Sequence, residues 1–216
     1  ANAEDLDPAM TNAQLERFQA FEDVLEEADL PVFKHAACSA AAFLSVASRF
    51  DAVRLGISLY GIWSAPVLAK YFHEQRSDLV LKPVITWKTM VAQVKALLPG
   101  DHVGYGMSFT AEKPMKIAVL PIGYADGFDR QLHSNRGFVL IRGERCPVIG
   151  RVCMNMTMVD VTHLTEVKIE DEVVLFGVSG NQSISPADWE ALEAMPYIAY
   201  EAVARLSARI PRHLVE

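Results

Sequence analysis

Nothing in this 216-residue sequence has the spacing of a cross-linked or metal-built protein. The three cysteines, Cys38, Cys146 and Cys153, form no CxxC pair and leave one sulfur over in any disulfide scheme. Reduced thiols in a cytoplasmic protein are the expectation. The six histidines are scattered without an HxxxH or HExxH group, so no metal is expected. Basic clusters are missing as well. Lys and Arg number 20 against 27 Asp and Glu, and a net charge of −7 with no basic block argues against a nucleic-acid partner. No apolar run approaches the roughly 18 to 20 residues that cross a bilayer, so no membrane association is expected. The opening Ala1-Asn2-Ala3-Glu4-Asp5 is polar and acidic, unlike a signal peptide. There are no internal repeats or low-complexity segments. What remains, 51% hydrophobic and 22% charged residues, is globular composition in a length that suits one large domain or two small ones.

The chain changes texture part-way. Thr11 to Asp29 reads as an amphipathic helix, with Thr11 as N-cap, Leu15, Phe18, Phe21 and Leu25 at helical spacing, and Pro31 beyond its end. Val32 to Ala37 then reads as a short buried strand, Ser39 to Ser48 as an alanine-rich helix, and Ala52 to Tyr60 as a second strand. That order suits the closing units of a parallel α/β fold. After Trp63-Ser64-Ala65-Pro66 come short β-branched runs: Val80 to Thr86, Lys116 to Pro121, Phe138 to Ile141, Met156 to Val161 and Glu172 to Phe176. Turn signals such as Pro99-Gly100 and Ser179-Gly180-Asn181 separate them, which predicts a mainly-β module. Two helices close it, one with Ser185 as N-cap and Pro186 at the first helical position, the other over Tyr197 to Ser207. The boundary is expected near residues 65–78.

Several residues invite a chemical reading, and each has a plainer one. Ser39, in His35-Ala36-Ala37-Cys38-Ser39, stands where a helix begins and its hydroxyl and backbone N–H groups suit a phosphate; alone, it is a helix N-cap. Arg54, in Val53-Arg54-Leu55-Gly56-Ile57, is by itself a salt-bridged edge residue, and His35 a satisfied core histidine. Tyr105, in Val103-Gly104-Tyr105-Gly106, is by itself a turn tyrosine with a hydroxyl in solvent. A phenol, whose ordinary pKa is about 10, is a poor base at neutral pH unless positive charge lies near it.

The spacing of these motifs carries more than any one of them. Tyr124, in Gly123-Tyr124-Ala125-Asp126-Gly127, follows Tyr105 by nineteen residues, and Gly150-Arg151-Val152-Cys153-Met154-Asn155 comes after. Ser39 and Arg54 stand fifteen apart. In order and separation the sequence, from about Thr11 to Pro211, resembles the carboxy-terminal part of the alanine racemases. These enzymes use pyridoxal 5'-phosphate (PLP) to interconvert L- and D-alanine.

That resemblance implies an α/β barrel remnant, the last units of a TIM-type (β/α)8 barrel, over residues 1–65. A β-rich carboxy-terminal domain with two terminal helices follows over 66–216. A whole barrel takes about 250 residues, so the chain is expected to be a fragment. It would lack the amino-terminal barrel half, the PLP lysine there, and activity on its own. The resemblance makes Tyr105 the catalytic tyrosine, passed from one subunit of a homodimer into its partner's site. Ser39, Gly56 and Ile57 become ligands of the PLP phosphate, Arg54 the partner of the pyridine nitrogen, and His35 the residue that orients Arg54. A guanidinium keeps its proton at any ordinary pH, so the ring nitrogen stays an unprotonated acceptor. An electron sink weakened in this way favours return of the proton to Cα. Tyr124 and Met154 are implied at the substrate, Met154 through its backbone N–H, and Arg130 at the corridor leading to it. D-alanine for cell-wall peptidoglycan would be the product.

Three departures from the family pattern stand out. Cys38 replaces an asparagine and Asn155 an aspartate. Ala208, in Ser207-Ala208-Arg209-Ile210-Pro211-Arg212, replaces a tyrosine that donates to the phosphate and crowds the substrate. The last change opens space, so a serine or broad-specificity racemase is the alternative among enzymes. A truncated dimerisation module without catalysis is the alternative outside them.

Overall fold

The computed structural model describes residues 2–191 and 199–215. They divide into two compact units, Ala1–Val84 and Ile85–Glu216. The division thus falls later than 65/66, because helix α3 (Pro66–Gln75) buries Leu68 and Phe72 against Ala40 of the first unit. Trp63 stacks on Phe72 there, with ring centroids 4.9 Å apart.

In the first unit, helix α1 runs over Ala9–Glu27, two residues earlier than the expected Thr11 start. The Asp7 carboxylate accepts the Ala9 N–H at 3.0 Å, and Pro8 presets the backbone angle at the cap. Leu15, Phe18 and Leu25 are only half-buried and Phe21 is exposed, while Glu22 is buried and ion-paired to Lys34. Helix α2 (Ser39–Leu44) is shorter than expected and passes into a 3-10 turn at Val46–Ser48. The two expected strands need correction. They meet in one parallel bridge, His35↔Ala52, and Ile57–Tyr60 is a 3-10 turn. Parallel strands are stable when neighbours cover both edges and faces. Here Val32 and Phe33 are exposed, and the described residues of this unit contain no further strand.

The second unit is built on an antiparallel sheet. Its strands are β1 (Trp87–Met90), β2 (Gln93–Leu97), β3 (His102–Val103), β4 (Phe109–Thr110), β5 (Met115–Leu120), β6 (Phe138–Ile141), β7 (Glu144–Ile149), β8 (Thr157–Asp160), β9 (Glu172–Ser179) and β10 (Gln182–Ile184). Eight of them form one sheet in the order β1-β9-β6-β7-β8-β5-β2, with β10 also on β9; β3 and β4 make a separate hairpin. The expected strand over Val80 to Thr86 is absent: Pro83 has no N–H to give, and the Val84 N–H goes to the Tyr60 carbonyl.

Inward positions of β5 to β9 bury Ala118, Leu120, Val139, Ile141, Val148, Val159 and Leu175. An aromatic group of Trp87, Phe128, Phe176 and Trp189 closes the core, with Phe176 and Trp189 centroids 4.5 Å apart. Helix α4 (Pro186–Glu190) opens with the Asp188 carboxylate accepting the Ser185 N–H. Helix α5 spans Ala199–Ala204; Tyr197, where it was expected to begin, lies outside the described residues. No helix among the described residues is long and apolar enough to cross a membrane.

Candidate active site

Local backbone forces bring five of the expected site residues together in the first unit. The Arg54 N–H donates to the Ala37 carbonyl at 2.8 Å, tying the segment before α2 to the segment before the Ile57–Tyr60 turn. The Arg54 side chain folds back over the same segment. Nη1 lies 2.8 Å from Nδ1 of His35 and donates to the His35 carbonyl at 3.0 Å, and Nη2 donates to the Ala36 carbonyl at 3.1 Å. Ser39 is buried, and its Oγ accepts the Gly56 N–H at 3.0 Å. The Ile57 and Ser58 N–H groups precede the first hydrogen bond of their 3-10 turn, Leu59 N–H to the Gly56 carbonyl, so that turn does not use them. A Cβ built on Gly56 meets nothing within 4 Å. The result is a small group of donors with no carboxylate among its five residues, suited to a phosphate and a neutral nitrogen acceptor.

Cys38, where the family resemblance implies an asparagine, packs half-buried against the Ala40, Leu68 and Phe72 cluster.

In the second unit the other candidates lie along a continuous run of backbone contacts. Tyr105 tops the loop between β3 and β4, its side chain exposed to 79%. Gly104, at φ +83°, passes so near Gly150 and Arg151 that a Cβ there would come within 2.8 Å of the Arg151 nitrogen. Three residues further, the carbonyls of Cys153 and Met154 accept the N–H groups of Tyr124 and Ala125, each at 3.0 Å. A Cβ on Gly123 would fall 2.1 Å from the Cys153 carbonyl oxygen, so only glycine permits that approach. The Asp126 carboxylate accepts the Gly123 N–H and holds the turn shut. Its carbonyl accepts the Ser207 N–H at 3.1 Å, which sets Ala208 beside the Tyr124 turn. Arg130 stands over the Tyr124 ring, 5.7 Å from the centroid.

This surface is electropositive. Burial, then the charges of Arg136, Arg151 and Arg130, push the His133 pKa below its ordinary value, so the ring is neutral at pH 7. The Arg151 guanidinium lies beside the tyrosine loop: a Cβ on Gly106 would meet its Nη1 at 3.4 Å. From the sequence Arg151 reads only as part of the Gly150 to Asn155 run, with no role, and Ser108, whose Oγ accepts the Arg151 N–H at 2.9 Å, is not singled out. Met154 is exposed, its backbone fixed through the Ala125 bond. The described residues contain no group of three or more His, Cys, Asp or Glu placed to hold a metal.

The sequence model of the alanine racemase amino-terminal domain matches residues 1–64, and that of the carboxy-terminal domain matches residues 84–214. The chain belongs to the alanine racemase family. It is 42% identical over 213 residues to the alanine racemase of Desulfosudis oleivorans, covering 98% of this chain and 52% of that protein. Among solved structures, alanine racemase from Bacillus anthracis with bound L-Ala-P superposes with a TM-score of 0.88 at 30% identity, over 100% of this chain and 53% of that one. The Bartonella henselae enzyme with covalently bound pyridoxal phosphate gives 0.75 at 32%, over 100% and 55%. The chain therefore spans about half the length of the relatives it matches.

Proposed function

We propose that this chain serves as the carboxy-terminal part of a PLP-dependent alanine racemase. It would work as a cytoplasmic homodimer in which each Tyr105 enters the partner's site. The observation that carries the reading is the pair of half-sites. The donor group of His35, Ser39, Arg54, Gly56 and Ile57 is assembled in one unit, and the second unit holds out an exposed tyrosine.

The donor chemistry fits PLP. Ser39 and the backbone at Gly56 and Ile57 would hold the phosphate, and Arg54 the pyridine nitrogen. When bound, PLP supplies the electron-withdrawing system that acidifies the substrate Cα–H. Racemisation then needs a base on each face of Cα. Tyr105 takes the proton on one face as its phenolate, or returns it as its phenol. The family's lysine, from the part of the enzyme that this chain does not span, serves the other. The Met154 N–H and Tyr124 hold the substrate carboxylate, and Arg130 guides it in. D-alanine formed this way would feed peptidoglycan synthesis. Ala208 favours one further reading, a racemase that also takes serine or larger side chains. Rates on alanine, serine and lysine separate the two.

The test is Tyr105→Phe in a complete holoenzyme carrying this segment. Racemisation should fall by about 10²–10⁴-fold, the usual worth of a general base. Solvent deuterium should still enter Cα from one enantiomer, through the surviving base. Racemisation at the parent rate would remove Tyr105 from the mechanism.

A further inference from the structure

We propose that Ser108 is a positioning residue for Tyr105, its hydroxyl fixing the loop that aims the phenol. The inference rests on the reading of Tyr105 as a base and names what holds that base in place.

The loop does not hold itself. The hairpin beneath it has two residue pairs, His102↔Thr110 and Val103↔Phe109. Hairpins of that size are marginal on their own. Of the five residues from Gly104 to Ser108, three have left-handed backbones: Gly104 at +83°, Gly106 at +72° and Met107 at +53°. Met107 takes that conformation without the freedom of glycine, so something outside must keep it there. The one hydrogen bond within this turn, among the described residues, runs from the Met107 N–H to the Gly104 carbonyl. Among the described residues, one hydrogen bond ties these five residues to the rest of the unit. It is the Arg151 N–H donating to Ser108 Oγ at 2.9 Å.

The position of that bond decides its effect. Arg151 follows Gly150 directly after β7, where Ile149 is buried in a second core cluster with Val103 and Ile117. Gly150, at φ +63°, lets this corner turn under Gly104, whose Cα lies 3.3 Å from where a Gly150 Cβ would stand. Ser108 Oγ lies 2.8 Å from where a Gly104 Cβ would stand, so the hydroxyl closes over the residue before Tyr105. The loop is thereby gripped on both sides of the tyrosine, by backbone contact at Gly104 and by the hydroxyl at Ser108. Loss of the hydroxyl frees one side and leaves the Arg151 N–H without this acceptor. The phenol then samples directions away from Cα, while the opposite base and the phosphate donors are untouched.

The experiment measures solvent deuterium entry at Cα from each enantiomer separately, in the complete PLP-loaded holoenzyme, for Ser108→Ala, Ser108→Thr and Tyr105→Phe. Misplacing a reacting group by about 1 Å can cost about 10²-fold. Ser108→Ala should therefore slow exchange from the Tyr105-dependent enantiomer by roughly ten- to a hundredfold. Exchange from the other enantiomer and KM should stay within about twofold of the parent, as expected when only one base is displaced. Ser108→Thr, which keeps the hydroxyl, should restore the rate. Ser108→Cys, with a weaker acceptor, gives the same partition at smaller size should the alanine variant fail to fold. Equal slowing from both enantiomers, or no slowing where Tyr105→Phe shows the asymmetry, overturns the role of Ser108 and leaves Tyr105 as the base. Parent-rate racemisation by Tyr105→Phe overturns both.

Discussion

Nδ1 of His35 lies 2.8 Å from Nη1 of Arg54. A guanidinium can only donate, so Nδ1 must be the acceptor and the neutral ring carries its proton on Nε2. Two carbonyls, those of His35 and Ala36, complete the set of acceptors that hold the guanidinium plane.

His35→Phe keeps a ring of similar size and removes one of the three acceptors. Hydrogen bonds that involve a charged group contribute about 1.5–3 kcal/mol. Arg54 is solvent-exposed, which puts this one at the lower end. In the complete enzyme PLP binding should weaken by about tenfold, the equivalent of 1.4 kcal/mol, and racemisation should fall with it. Titration with PLP checks this. Affinity equal to the parent's would mean that the two carbonyls suffice to orient Arg54.

Asp171 gives the β unit an acid-sensitive point away from the site. Its carboxylate takes Nε and Nη2 of Arg142 at 2.9 and 3.2 Å and the Lys168 N–H at 3.0 Å. The hydrogen bonds from Arg142 are the chief reason its pKa is held below the ordinary aspartate value. With the folded value depressed, the contribution is complete above the unfolded aspartate pKa and is lost as pH falls through the folded one. Below about pH 4 the unit should therefore lose stability. Solvent screens the pair, so Asp171→Asn should cost about 1 kcal/mol or less at pH 7, and nothing further at pH 2. Thermal melts at both pH values measure it. A variant as far below its parent at pH 2 as at pH 7 would show that the charge is not the cause.

Much of the β unit was legible because its strands combine β-branched residues with turn signals. Phe138–Ile141 begins and ends where expected, and Glu172 opens β9 as expected. β7 escaped notice because Glu144, Arg145 and Pro147 disguise a strand whose Cys146, Val148 and Ile149 are buried. β2 was hidden by Lys95 and Ala96, exposed residues of low strand preference. In the first unit the apolar runs at Val32 to Ala37 and Ala52 to Tyr60 were readable as strands, yet a strand is realised only where something pairs with it. The candidate site divides in the same way. Tyr105, Arg54 and Ser39 stood out through spaced motifs, whereas the contact between Ser108 and Arg151 is made by a single backbone N–H. No pattern of side-chain types marks such a contact.

Cys146 should be chemically silent in the folded protein. It has no exposed surface, and burial, reinforced by the charge of Asp160, pushes its pKa up to about 12. The thiolate is the reactive form, so almost none is present at pH 8. Cys38 and Cys153 are partly exposed. Iodoacetamide at pH 8 followed by peptide mass spectrometry should label those two first, and Cys146 only after denaturant is added. Labelling of Cys146 as fast as Cys153 in the native protein would mean that the β6–β7 pair opens readily.

Ala208 stands where the family resemblance implies a tyrosine, and the departure can be reversed. The residue is exposed in a turn fixed by the Ser207 N–H on the Asp126 carbonyl and by the Ile210 N–H on the Ser207 carbonyl. That turn is anchored beside Tyr124, and Gly127 is close enough that a Cβ there would meet the Arg205 carbonyl oxygen at 2.6 Å. A larger side chain at 208 would project from a fixed backbone rather than distort a core. In the complete enzyme Ala208→Tyr should restore a phenol donor to the PLP phosphate. A well-formed bond of that kind contributes about 1.5–3 kcal/mol, so PLP should bind roughly ten- to a hundredfold more tightly. The ring would also occupy space beside the substrate side chain, and the rate on serine should fall relative to alanine. One extra heavy atom in a tight pocket discriminates by about 10–200-fold. PLP affinity and the serine-to-alanine ratio of kcat/KM are the two readouts. If the ratio shifts and the affinity does not, residue 208 faces the substrate and not the phosphate. If neither moves, Ala208 lies outside the site, and the broad-specificity reading loses its structural basis.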